Sequence, residues 1–372
     1  MDASMNTTMM LLLMTALIPI VGIMMAITPY LMKKSECFTV TVPETALYDP
    51  YLQGLKKRYL MAMLSATAVL TALGFVATFA GSEIASIVLF TVGVLAIVVI
   101  GYGLMLHNRS KVRRYKKEQN WVTTQDAAVA VVTGEATPQA ISLKWNLLYL
   151  LVIALTLAIG YLGYDAMPEQ IPLNMSFDGQ VGSYAEKSPL IILMPAMIQA
   201  FLALCFFGSH WMILRSKRLS NPNAPATSAL AYGMFAHAQS IYLLALGTIL
   251  CTMMILFPLS FVGVVTIMQA GVFIMIGALI AVVGAIGIAV VYGQGGSRVF
   301  VRMQASDTIP ADDDRFWKLG IFYVNKDDPS LFLLERFGVG WTVNFGRPAV
   351  WVILALFVLI TVAFVVAMSV LS

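Results

Sequence analysis

Long apolar runs constrain the fold of this chain more than any other feature of its sequence. A helix needs about 20 mostly apolar residues to cross roughly 30 Å of hydrocarbon, and eight runs are of about this length. They cover Met9–Leu31, Tyr59–Phe79, Ile84–Leu106, Leu147–Tyr164, Pro189–Phe207, Leu230–Leu256, Val262–Tyr292 and Ala349–Leu371. Only 11% of the residues are charged, against about 25% in soluble domains, which excludes a soluble globular enzyme. The sequence predicts an all-α polytopic membrane protein with about eight transmembrane helices.

The distribution of positive charge predicts the orientation of these helices. Lys and Arg are retained on the cytoplasmic side of a membrane. Of the 23 Lys and Arg residues, all except Lys187 follow the first, third, fifth or seventh run. Those segments are therefore predicted to be cytoplasmic, with the N- and C-termini outside. The other face carries Asp2, Glu83, Asp165, Glu169, Asp178 and Glu186. The net charge of +4 thus reflects topology, and we predict no direct contact with nucleic acid.

The runs and loops divide the chain into five predicted regions. Residues 1–146 form a three-helix membrane region, 147–207 a helix-loop-helix unit with the external loop 165–188, and 208–306 a two-helix membrane region. Residues 307–348 form a small mixed cytoplasmic element, and 349–372 the last transmembrane helix. The external loop contains turn-forming Pro and Gly residues and four acidic residues. It is either a binding site for an external ligand or a compact cap between two helices.

The cytoplasmic segment 307–348 has the strongest pattern outside the apolar runs. Three Asp residues at 312–314 precede Arg315–Leu319, which predicts a short helix with acidic residues at its N-terminus. Gly320–Val324 and Leu331–Leu334 are strand-like and flank a turn. The segment is rich in aromatic residues, which favours a position at the headgroup layer just before a span.

The external loop resembles that of the SdpI-like integral membrane proteins. The resemblance rests on Pro168–Pro172, on Gly179 and on Lys187-Ser188 directly before a span, and it covers residues 147–207. Asn174 stands where this family usually has His, and Gly182 stands about where an acidic residue is common. The resemblance implies an external ligand site that contains Pro168, Ile171, Pro172, Asn174, Phe177, Gly179 and Lys187.

A second resemblance covers Asp312–Pro348, which is similar to a cytoplasmic module found with this loop in some bacterial membrane proteins. A cytosolic partner is predicted to contact Asp312, Trp317, Tyr323, Asp328, Trp341 and Asn344. The best-known SdpI-like members protect against a secreted toxic peptide and sequester a transcriptional repressor. The resemblance therefore implies a multi-pass protein of a bacterial cell membrane that acts in immunity or signalling.

The sequence contains no recognisable catalytic motif, so we predict no enzyme, no cofactor and no metal site. Gly293–Gly296 follows an apolar run and is expected to end that helix. His107, His210 and His237 lie near the cytoplasmic face, where packing or hydrogen bonding is the expected role.

Two functions remain open at this point. The first is a sensor or immunity protein that meets a secreted cationic peptide or envelope stress outside and a cytosolic regulator inside. The alternative is a transporter or exporter of a hydrophobic or peptidic solute. That alternative predicts a polar cavity lined by Gln199, Gln239 or Gln269.

Overall fold

The computed structural model describes residues 3–121, 137–175, 181–218, 225–299 and 312–371. Within these ranges eight helices are long and apolar enough to cross a membrane, which confirms the predicted class of a mainly helical polytopic membrane protein. The long helices are α1 (Ala3–Leu31), α2 (Pro50–Phe79), α3 (Glu83–Glu118), α4 (Leu147–Leu162), α5 (Leu193–Arg215), α6 (Pro225–Met253), α8 (Ile267–Tyr292) and α9 (Pro348–Leu371). A short helix α7 (Leu256–Phe261) lies between α6 and α8.

Two helices extend well beyond their apolar runs. Helix α2 begins at Pro50 because Asp49 caps it, accepting hydrogen bonds from the backbone N–H of Tyr51 (2.8 Å) and Leu52 (3.1 Å). Helix α3 continues twelve residues past Leu106 to Glu118. Lys and Arg are good helix formers, so a run defined by apolarity ends before the helix does.

The helices pack as two groups. Helices α1, α2 and α3 pack on one another around a core that includes Phe38, Tyr59, Met63 and Met105. Helices α4, α5, α6 and α8 form the second group, and α1 contacts α8 between the groups. Helix α9 lies against α5, where Phe201 stacks on Phe364 with ring centroids 4.6 Å apart.

Within the described ranges, four antiparallel hairpins connect the helices. They pair β1 (Glu36–Cys37) with β2 (Val40–Thr41), β3 (Gln170–Met175) with β4 (Val181–Glu186), β5 (Trp317–Lys318) with β6 (Phe322–Tyr323), and β7 (Phe332–Leu334) with β8 (Trp341–Val343). We call the end of the molecule with β3–β4 the hairpin face, residues 312–347 the module, and the end with the module the module face.

The module differs from its predicted form at one element. The short helix predicted over Arg315–Leu319 is a single 3-10 turn, Asp314–Phe316, followed by β5. Leu319 and Gly320 have φ of 52° and 80°, which turns the chain back onto β5 instead of continuing a helix. The strand predicted over Leu331–Leu334 is present as β7, and β8 is its partner.

Candidate functional site

The predicted external site is a hairpin seated on the ends of several helices. Ile171 is fully buried and packs with Met167, Ile192 and Phe261. Of the other predicted ligand residues, Pro168 is exposed, Pro172 is half-buried and Asn174 pairs with Ser183 in the strand register. Phe177 and Gly179 lie outside the described residues. Burial of Ile171 gives it a packing role in the hairpin, whereas Pro168 lies on the surface.

Lys187, another predicted ligand residue, is held by its own loop. Its Nζ donates to the carbonyl oxygens of Met167 (2.9 Å) and Asp165 (3.4 Å) and lies 5.1 Å from the centre of the Tyr164 ring. Its backbone N–H donates to the carbonyl oxygen of Glu169 (2.8 Å). Lys187 therefore closes the base of the hairpin, and the acidic side chains of Asp165, Glu169 and Glu186 are exposed around it.

Arg336 docks the module onto the first helix group. Its side chain is 2% exposed and lies in the loop between β7 and β8. It donates hydrogen bonds to Asp313 and Asp314, to the Thr39 carbonyl (2.9 Å) and to the Thr41 hydroxyl (3.0 Å). A buried guanidinium with this many acceptors is a strong, directional link between chain segments.

Further charges complete this contact. Lys116 of α3 bonds Asp312 (2.6 Å) and Asp314 (3.0 Å), and Arg109 of α3 donates to the Trp317 carbonyl (3.1 Å). Burial favours the neutral form of Asp314, but Arg336 and Lys116 outweigh it and lower the pKa of its carboxyl to about 2. Asp314 is therefore ionised at neutral pH.

A second network orders the turn between β6 and β7. The fully buried Asn344 amide donates to the carbonyls of Asn325 (2.8 Å) and Asp328 (3.1 Å). Asp328 accepts from the Tyr323 hydroxyl (3.0 Å) and from Lys217 after α5 (2.7 Å). Burial would raise the pKa of Asp328, but Lys217 and other donors lower it to about 2. This network ties the module to α5.

Gln294 joins the end of α8 to the same module. Its amide N–H donates to the carbonyls of Glu335 (3.0 Å) and Gly340 (2.6 Å), and its oxygen accepts from the Gly340 N–H (3.0 Å). As predicted, the glycine segment ends this helix: α8 ends at Tyr292, and Gly293 follows as its C-cap with φ of 65°. Gly296 has φ of 78°, and a Cβ there would overlap the Ala231 carbonyl of α6. The glycine segment thus lets Gln294 reach the β7–β8 loop.

The six residues predicted to contact a cytosolic partner belong mostly to these internal contacts. Trp317, Tyr323, Asp328 and Asn344 are buried, and Trp341 stacks on Phe235 of α6 at 5.5 Å. They hold the module on the membrane helices, while Asp312 is exposed. Contact with a partner remains a prediction for all six.

The polar residues of the second helix group join helices or chain segments. Gln199 is fully buried and donates to Thr156 (2.6 Å) and to the Cys251 carbonyl (2.8 Å), so it links α4, α5 and α6. Gln269 is exposed and caps α8. His210 and His237 bond the carbonyls of Ile141 (2.9 Å) and Gln139 (2.7 Å), and no metal-binding group of His, Cys, Asp or Glu occurs among the described residues.

The buried carboxyl of Glu335 is expected to make the stability of the protein depend on pH. Burial raises the pKa of its carboxyl from 4.5 to about 7, so the folded state holds a proton that the unfolded chain releases between these values. Stability is therefore expected to fall as pH rises from about 4.5 to 7. Glu335→Gln should remove this slope and stabilise the protein above pH 7 by up to about 3 kcal/mol.

The measurement is the midpoint of chemical unfolding of the purified protein in detergent across this pH range, taken as the difference between variant and parent. All other titrating groups cancel in that difference. Equal slopes in the two proteins would contradict the prediction.

Sequence reasoning missed Arg336, Gln294 and the β1–β2 hairpin as parts of this site. One available signal was Arg336 itself, a lone cation between Leu331–Leu334 and Phe337 in an apolar, aromatic segment. Such a charge requires partners when the segment is buried. Its partners near residues 36–41 are distant in sequence and left no local pattern.

Two known sequence families match parts of the chain. Residues 151–198, which run from α4 through the β3–β4 hairpin into α5, match a domain of unknown function, DUF1648. Residues 326–351, which run from the turn after β6 into the first turn of α9, match a family of unknown function, DUF5808. No curated protein and no solved structure matches the chain. Each match thus coincides with one of the two candidate sites.

Proposed function

We propose that this protein is a non-enzymatic sensor or immunity protein of a bacterial cell membrane. The hairpin face binds a secreted cationic peptide, or responds to envelope stress, and the module engages a cytosolic regulator. The match to DUF1648 covers the loop that resembles SdpI-like proteins, and a relationship to the immunity proteins of that group is part of this proposal.

The observation that carries the proposal is the position of α8. This helix contacts strand β3, and the residue just beyond its other end, Gln294, bonds both sides of the β7–β8 loop. One continuous helix therefore touches both candidate sites. A displacement of the hairpin by a ligand would act on α8 and so on the module, and signalling by this route requires that α8 adopt two arrangements.

Charge supports a cationic ligand. Asp165, Glu169 and Glu186 are exposed on the hairpin face, and Lys187, the cation among them, is bound to carbonyl oxygens. A peptide rich in Lys would meet an acidic surface, which favours encounter and orientation.

The test compares Glu169→Gln/Glu186→Gln with Glu83→Gln, a control carboxylate at the start of α3 on the same predicted outer face. The probe is a synthetic, amphipathic Lys-rich peptide, measured for binding to protein in nanodiscs and for killing of expressing bacteria. We expect about five-fold weaker binding at low salt for the double variant with loss of protection, and no change for the control. Unchanged binding and protection would overturn the external half of the proposal.

Gln294→Ala separates sensing from signalling. This variant is expected to bind the peptide normally but to lose the response of the module to it. The response is measured as the change in protease cleavage within residues 312–347 when peptide is added. The same response in variant and parent would overturn the role of α8. Solute flux in vesicles, with no effect of peptide on the module, would favour the transporter alternative.

A further inference from the structure

The tip of the β5–β6 hairpin exposes apolar side chains on the surface of the module. Leu319 is 59% exposed and Phe322 is 41% exposed. Gly320, between them, faces Thr39 and Arg109 so closely that a Cβ would overlap Thr39. One side of the tip is therefore packed against Thr39 and Arg109, and the other side is exposed. Exposed apolar side chains such as Leu319 and Phe322 favour contact with an apolar environment.

The tip lies beside the apolar part of α3. The Tyr102 hydroxyl of α3 donates to the Leu319 carbonyl (3.1 Å), and Tyr102 precedes Arg109 by about 10 Å along the helix. Val99, one turn earlier on α3, is 69% exposed inside a candidate membrane span. Leu319 is thus next to an exposed apolar surface of α3.

A row of aromatic rings continues this apolar surface to α9. Phe322 contacts Phe345 with ring centroids 5.5 Å apart, and Phe345 contacts Trp351 at 5.8 Å. Trp351 is 57% exposed in the first turn of α9. Aromatic residues concentrate where a span meets the headgroup layer, which supports a position of the tip at that layer.

Two cations flank the tip. Arg315 and Lys318 are exposed, and neither forms an ion pair with any described residue. The nearby acidic side chains of Asp312 and Asp314 are bonded to Lys116, and Arg336 binds Asp313 and Asp314. The net charge at the exposed edge of the hairpin is therefore positive.

We propose that the β5–β6 tip inserts into the headgroup boundary and binds anionic phospholipid. Leu319 and Phe322 contact the upper acyl chains, and Arg315 and Lys318 pair with headgroup phosphates. This surface holds the module against the membrane independently of Arg336, and it does not depend on the sensor function proposed above.

The insertion is tested with an environment-sensitive dye on Leu319→Cys in a Cys205→Ser background, since Cys37 and Cys251 are buried. The control label is at Lys117→Cys, exposed on α3 about 22 Å beyond Tyr102. In nanodiscs with a shallow spin-labelled lipid, we expect loss of fluorescence at position 319 and none at position 117. Equal fluorescence loss at both positions, or none at either, would overturn insertion.

The headgroup preference is tested with unlabelled full-length protein in nanodiscs of phosphatidylcholine with added phosphatidylglycerol. Lipids retained after detergent extraction are counted by native mass spectrometry. We expect the protein to retain more phosphatidylglycerol than phosphatidylcholine. Each of Arg315→Gln and Lys318→Gln should reduce this enrichment about five-fold, and Arg114→Gln on α3 should leave it unchanged. Equal retention of the two lipids by the parent would overturn the anionic preference, as would an equal loss in the control.

Discussion

Replacing Arg336 with Met is expected to release the module from the first helix group and to destabilise the protein by about 3–5 kcal/mol. Met keeps most of the buried volume of the side chain but supplies no hydrogen-bond donor. Glu36, Asp313 and Asp314 would then lose the cation that they share, which leaves the buried Glu36 and the partly buried Asp314 with one lysine each, Lys33 and Lys116. Uncompensated buried charge is among the most destabilising changes that a single substitution makes.

Two measurements check this result on the full-length protein in detergent. Chemical unfolding gives the loss of stability, and limited proteolysis gives the rate of cleavage within residues 312–347. Arg114→Met, an exposed Arg on α3, is the control and should lie within about 0.5 kcal/mol of the parent.

A double variant tests whether the loss of stability in Arg336→Met comes from unbalanced charge. Adding Asp314→Asn to Arg336→Met removes one of the acids left behind and is expected to recover part of the lost stability. A parent-like Arg336→Met protein would contradict the docking role of Arg336. Additive losses in the double variant would contradict its electrostatic origin.

Gly296→Ala is the second change with a large expected effect, a loss of about 2–5 kcal/mol. The backbone at this position is left-handed, which is unfavourable for Ala, and the new methyl group would overlap the Ala231 carbonyl of α6. A backbone atom cannot move aside as a side chain can. The end of α8 must therefore shift, and Gln294 moves with it.

Gly81→Ala provides a matched control for this variant. Gly81 has a similar φ, 72°, but a Cβ there would meet no atom within 4 Å. Gly81→Ala is expected to lower the stability by about 1–2 kcal/mol, from backbone conformation alone. Chemical unfolding measures the loss of stability in each variant, and the difference between the two losses gives the contribution of the close approach of Gly296 to α6. Equal losses would show that this close approach does not contribute.

The number and order of the helices could be predicted because apolarity over about 20 residues is a local property. Helix lengths could not, because Asp49 extends α2 and the basic end of α3 remains helical outside the apolar run. In the module, the apolar strand Leu331–Leu334 was predictable from composition. The turn at Leu319-Gly320 was not, because it depends on packing against Thr39, far away in the sequence.

The candidate sites show the same division. The external loop was identified by its Pro, Gly and acidic residues, yet the sequence did not indicate that Lys187 binds carbonyl oxygens of its own loop. Buried ion pairs such as Arg336 with Asp314 join segments whose pairing is decided by the tertiary fold. Local patterns therefore located both sites but could not separate exposed residues from buried ones.

The docking of the module also sets an order of assembly during synthesis. Arg109 is synthesised with α3, whereas its acceptor, the Trp317 carbonyl, is synthesised 208 residues later. Thr39 likewise precedes its donor Arg336 by 297 residues. Arg109 also donates to the carbonyl and hydroxyl of Thr39, so these groups are paired within the first helix group, and the bonds to the module are added only after most of the chain has been translated. A chain that ends before the module lacks the bonds that Lys116, Arg109 and Arg336 form across this contact, and we expect its first helix group to unfold more readily than in the full-length protein.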